Sequence, residues 1–113
     1  MVDQSEIEAL MGLSYDELLE RLGTSDDAAF ATPENKRRRG LNFFRNTLEK
    51  YRDAICANEQ VRKYIGNDDG ALKAQAAAAI ADLMGGHGAV TVAVLVVQSG
   101  VRDICSDGWR NAI

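Results

Sequence analysis

The sequence predicts an all-α fold: a compact bundle of five to six helices around a central valine-rich helix. Three observations carry this. One proline among many alanines and leucines favours helix over a β-sandwich, which needs turn residues every few positions. Helix start and stop signals recur along the chain, and apolar residues between them repeat at helical spacing. The most apolar stretch, Leu83–Cys105 (LMGGHGAVTVAVLVVQSGVRDIC), must be hidden, and no other segment reads as a strand that would pair with it.

With 113 residues the chain has room for one domain and one core. Its 46% apolar and 27% charged content is ordinary for a globular protein and argues against disorder.

Ser5-Glu6-Ile7-Glu8 has the form of a capping box, with a short helix through Met11 that ends near Gly12. Ser14-Tyr15-Asp16-Glu17 repeats the device. Leu18, Leu19 and Leu22 then share an apolar face, and Gly23 reads as a C-terminal stop. Thr24–Ala31 is a connection in which Ser25-Asp26-Asp27 can cap one further turn that buries Phe30. Thr32-Pro33-Glu34 is the strongest start signal. Threonine caps, proline takes the position where its missing N–H costs nothing, and glutamate faces the positive helix end. The helix it opens should run to about Asn58, with Leu41, Phe44, Leu48, Tyr51 and Ile55 as one seam widened by Phe43. Gly40 is its weak point, the site of a kink or short break.

Glu59–Ile65 adds a further helical turn or two, with Val61 and Ile65 on one side. Gly66–Gly70 is a loop, and Asp68 or Asp69 caps the next helix, Ala71–Met84. There Leu72, Ile80 and Leu83 share a side with Ala76 and Ala79. Gly85-Gly86 ends it. The valines that follow favour a strand locally. Yet Val90, Val94, Val97, Val101 and Ile104 fit helical spacing, which predicts one buried helix over residues 88–105. Trp109 is expected to fold back over the end of the bundle.

The domain divides into an acidic helical head (1–31), a long basic helix with its extension (32–65), an alanine-rich helix (71–84) and the buried apolar helix (88–105). Residues 1–31 hold eight acids and one base, net −7. Residues 32–64 hold nine bases and four acids, net +5, and the remainder is −2, for −4 overall. The acidic head and basic middle are expected to lie against each other.

Lys36, Arg37, Arg38 and Arg39 form the sharpest charged feature. On a helix they point in all directions, but Arg38, Arg45 and Arg52 recur every seven residues and share a face that suits an acidic partner or phosphates. Nucleic acid is disfavoured because the net charge is negative and Phe44 and Tyr51 belong to the seam. Gly85, Gly86, His87 and Gly88 form a glycine-rich loop before a helix start, a pattern that can hold an anion. It lacks the Lys-Ser/Thr of a P-loop, and a helix rather than a strand precedes it, so a tight interhelical turn is the plainer expectation. His87 is the one histidine, Cys56 and Cys105 form no metal-binding spacing, and Asp68-Asp69 lacks the ligand spacing of a calcium loop. No metal or cofactor is expected.

The two cysteines read as reduced thiols, and MVDQSEIEAL has no basic-then-apolar leader, which together suggest a cytoplasmic protein. The uncharged run is nineteen residues, Leu83–Val101, but only nine, Ala89–Val97, are strongly apolar, too few to span a bilayer. The expected function is a non-enzymatic protein–protein interaction module, an adaptor, regulatory or assembly domain that uses its opposite charges to bind a partner or a second copy of itself. A nucleic-acid-associated regulator acting through Lys36–Arg39 and a small anion binder at Gly85–Gly88 are the alternatives.

Overall fold

Seven helical segments, and no strand, are found among the described residues of the computed structural model, which are 4–24, 32–66, 69–85, 88–106 and 108–109. They are α1 (Gln4–Met11), α2 (Tyr15–Gly23), α3 (Pro33–Ala57), α4 (Glu59–Gly66), α5 (Gly70–Met84), α6 (Ala89–Ser99) and α7 (Val101–Ile104). The all-α expectation holds. The count exceeds the expected five to six because two helices that read as continuous are interrupted. The radius of gyration, 13.4 Å, is that of a single packed domain of this length, about 13 Å.

Several starts form where the sequence places them. Ser14 caps α2, its hydroxyl accepting from the Glu17 N–H while the Glu17 carboxylate accepts from the Ser14 N–H. Thr32 caps α3 with Pro33 at the first position, its hydroxyl accepting from the Asn35 N–H. Asp69 caps α5, which begins at Gly70, one residue before the expected start. Ser5 does not play the expected role: α1 begins at Gln4, so Ser5 lies inside the first turn. The extra turn at Ser25–Asp27, Phe30 and Asp68 lie outside the described residues.

Helix α3 runs unbroken through Gly40, where a kink or break was expected, and ends with Asn58 as its cap. Asn58 also divides α3 from α4, because its side-chain oxygen accepts from the N–H groups of Gln60 and Val61. The glycines of the first half of the chain have a different use. A Cβ on Gly40 would collide with the Leu19 carbonyl oxygen. One on Gly23 would collide with the Lys36 carbonyl oxygen and lie 2.8 Å from the Gly40 nitrogen. The backbones of α2 and α3 cross where neither carries a side chain. Gly23 is therefore a packing residue and does not end α2 through a left-handed turn; among the described residues the positive-φ glycines are Gly85, Gly88 and Gly100.

The seam of α3 is buried as expected at Phe44, Leu48 and Ile55, with Leu41 and Tyr51 half-buried and Phe43 44% exposed. In α5 the buried residues are Ala76, Ala77, Ile80 and Ala81. Leu83, expected on that side, is 38% exposed, because the buried face runs through Ala77 and Ala81 instead of Ala79 and Leu83. Every residue of α6 from Thr91 to Val97 is buried, and α6 packs against α1, α2, α5 and α7. Burying each large apolar side chain is worth about 1.5–3 kcal/mol. Residues 89–97 are thus helical, and packing overrides the strand preference of their valines. No helix among the described residues is long and apolar enough to cross a membrane.

The expected single helix over 88–105 is broken at Gly100, whose φ of 104° and ψ of 102° place it outside both helical and strand backbone. Glycine adopts such angles without the penalty a Cβ brings. The break redirects the chain so that Val101 and Ile104 remain buried and Cys105 reaches the end of α3. There the expectation of two reduced thiols fails: Cys56 and Cys105 form a disulfide, with Cα atoms 5.7 Å apart across 49 residues of sequence. No local spacing signals such a bond, because the fold alone brings the two positions together.

Candidate functional site

The basic residues of α3 have separate fates. Arg37 donates to the Glu20 carboxylate of α2 at 3.3 Å, so head and basic helix do lie against each other at this point. The half-exposed pair contributes at most about 1 kcal/mol. Lys36 is half-buried, while Arg38, Arg39 and Arg45 are exposed. Arg45 also faces the head, as its charge opposes the rise in the Tyr15 pKa that burial causes.

Arg52 does not belong to the expected working face. Its Nε donates to the Ile104 carbonyl at 2.7 Å and an Nη to the Ser106 carbonyl at 2.8 Å, and its guanidinium lies 5.5 Å from the centroid of the Trp109 ring. These carbonyls close α7, where helix ends leave acceptors unsatisfied. Trp109 covers this end as expected, at 7% exposure. Arg52, the disulfide and Trp109 therefore fasten 101–109 to α3. The seven-residue spacing that groups Arg52 with Arg38 and Arg45 carries no information about this distant segment.

Of the glycine-rich loop, Gly86 and His87 lie outside the described residues. Gly85 ends α5 with φ 63°, its N–H donating to the Ala81 carbonyl. Gly88 precedes α6 with φ 81° and offers no side chain to cap it. The N-terminus of α6 opens into a cleft of about 570 Å³ whose other wall includes Glu6, Arg21 and Leu22. A second groove, about 440 Å³, lies on the other side of Ala89 between Phe43, Tyr51 and Met84.

Sequence reasoning did not single out Arg21 of α2 or Thr91 of α6, two of the polar residues that line the first cleft. Arg21 is the lone base of an acidic segment, and that is the one local signal it carries. Among the described residues, no group of three His, Cys, Asp or Glu side chains is placed to share a metal ion. A comparison with known proteins found no match to any protein-family model, to any curated protein or to any solved structure.

Proposed function

We propose that this protein is a non-enzymatic interaction module that binds through the exposed arginines at the start of α3, with the α6 helix serving as the structural centre of the domain. One observation carries the reading: among the described residues, the opposite charges of the head and the basic helix are only partly paired. Arg37 meets Glu20, while Arg38 and Arg39 are exposed beside it, and Glu8 and Asp16 are exposed on the head. Such surfaces are complementary to each other, so the head of one copy can dock on the basic helix of the next. A head-to-tail contact of this kind builds rings or filaments. An acidic surface on another protein would meet the same arginines.

The disulfide also bears on where the module works. Such bonds persist in oxidising compartments and are rare in the cytosol, so it favours an oxidising location over the cytoplasmic one read from the sequence.

Molar mass by light scattering, at low and high salt, tests the assembly. The expected result is a salt-sensitive oligomer that becomes monomeric when Arg38→Glu and Arg39→Glu are combined. A monomer at every salt concentration that also retains no acidic partner protein, or an oligomer unaffected by the double reversal, would overturn the reading.

A further inference from the structure

We propose that the Cys56–Cys105 disulfide is a redox switch that governs whether residues 101–109 stay docked on the end of α3 or open away on Gly100. The switch lies at the opposite end of α3 from Arg38 and Arg39 and does not rest on the surface proposed above. Three features carry it.

The first is a hinge. Gly100 divides α6 from α7 with φ 104° and ψ 102°, and glycine moves between such angles at little cost because it has no Cβ. Segment movements of this kind turn on a few residues at the ends of elements. What lies beyond the hinge is short: α7 has four residues, too few to persist as a helix by itself.

The second is the kind of tie that holds the segment down. Arg52 donates to the Ile104 and Ser106 carbonyls at 2.7 and 2.8 Å, and Arg102 reaches back to the Ile65 carbonyl of α4 at 3.0 Å. The contacts to Ser106 and Ile65 are exposed, where water competes for the same groups. Burial of Val101, Ile104 and Trp109 adds to them. All of these ties break and re-form with local opening. The disulfide does not. While it is closed, Cys105 stays on Cys56 whatever the other ties do. Once it is open, the non-covalent ties act alone.

The third is access. Ile55 and Ile104 are wholly buried, yet the cysteines that follow them, Cys56 and Cys105, are only half-buried. Exchange requires a thiolate to reach one of the two sulfurs, and exposed disulfides are the labile and regulatory ones.

The reductant is a dithiol. Its first thiolate attacks one sulfur, the bond between Cys56 and Cys105 breaks, and a mixed disulfide forms. Its second thiolate then displaces the attached cysteine. The reductant leaves as a disulfide, having given up two electrons and two protons, and Cys56 and Cys105 end as thiols. Exchange with a disulfide oxidant runs the same steps backwards. In the reduced protein 101–109 opens on Gly100, and Val101, Ile104 and Trp109 become exposed apolar surface. Helix α2 stays in place, because its close crossing with α3 at Gly23 and Gly40 does not involve the bond.

The test treats the folded protein with dithiothreitol. Thiol titration without denaturant should find both cysteines free. Trp109 is the one tryptophan of the sequence, so its emission should shift to the red as the ring enters water. Backbone amide resonances of 101–106 should move toward those of disordered chain while those of α2 keep their positions. Oxidised glutathione should restore the first state. Cys56→Ser combined with Cys105→Ser should give the open resonances with or without dithiothreitol. A bond that resists dithiothreitol until denaturant is added would overturn the proposal. So would a reduced protein with the emission and resonances of the oxidised one. Loss of the α2 resonances together with those of 101–106 would also overturn it, since the bond would then support the whole domain instead of gating one segment.

Discussion

The two halves of α3 are held by opposite means. Toward its start, α2 crosses it where Gly23 and Gly40 remove every side-chain atom between two backbones. Toward its end, over residues 41–57, α3 has no glycine to allow such an approach. Instead Arg52 reaches two carbonyls of the 101–109 segment, Trp109 packs against the guanidinium, and Cys56 is bonded to Cys105. The difference follows from what each partner can bury. The nine residues of α2 present Leu18 and Leu19 to the core and need only close approach. The four residues of α7 cannot sustain a helix alone and need polar and covalent ties. One attachment fails if a single methyl group is added. The other is redundant and should lose its parts one at a time.

The largest expected effect is at the redundant end. Replacing both cysteines, Cys56→Ser with Cys105→Ser, should lower unfolding free energy by about 4 kcal/mol, the loop-closure value for a 49-residue separation. Urea denaturation of both proteins checks it, and a loss below about 1 kcal/mol would mean that Arg52 and Trp109 suffice to hold the segment. Gly40→Ala comes next. In an open helix that change stabilises, yet here the added methyl meets the Leu19 carbonyl, and about 3 kcal/mol should be lost as α2 lifts away. Thermal unfolding of Gly40→Ala at unchanged or raised midpoint would show that the crossing is not tight. Third, Arg52→Ala should cost about 2 kcal/mol, since two charge-assisted hydrogen bonds disappear from a half-buried site. Hydrogen exchange should then speed up at 101–106 and leave α2 unchanged, and uniform acceleration would contradict the division into two attachments. As the contrasting control, a Cβ on Gly70 meets nothing within 4 Å, so Gly70→Ala should be neutral or stabilising by about 0.5 kcal/mol.

The smallest effect concerns the cap of α2. The Glu17 carboxyl has its pKa lowered from the ordinary 4.5 because the Ser14 N–H, and then the Ser14 hydroxyl, favour its charged form. A group whose pKa is lowered by folding contributes stability above its unfolded pKa and loses it as pH falls through the folded value. The stability difference between the unsubstituted protein and Glu17→Gln should therefore shrink on acidification below about the ordinary carboxylate value. A difference that stays constant from neutral to acid pH would show that the charge plays no part in the cap.

How much was legible in the sequence follows the range of each interaction. The Ser14–Glu17 box, the Thr32-Pro33 start, the Asp69 cap and the buried seam of Phe44, Leu48 and Ile55 are all relations between near neighbours. Gly40 is the instructive failure. Read locally, a glycine in mid-helix weakens the helix. In the fold, it is the condition for α2 to dock. Arg52 fails in the same way, since its spacing places it among exposed arginines while its partners lie 52 and 54 residues away. The candidate cleft was half legible. The glycines before α6 signalled a helix end, but Arg21 joins it from α2, through a packing that no local pattern records.

The sequence by itself determined the helical class, most helix boundaries and the burial of the valine run, because hydrogen bonding, capping and hydrophobic period act within a few residues. The tertiary structure alone decided that Gly23 and Gly40 face each other, that Gly100 turns the chain, and that Cys56 meets Cys105. It alone put Arg21 and Thr91 on the wall of one cleft. Each of these depends on segments brought together from far along the chain by burial of apolar surface. That force is roughly proportional to area and has no direction, so it leaves no local mark of which residues will meet.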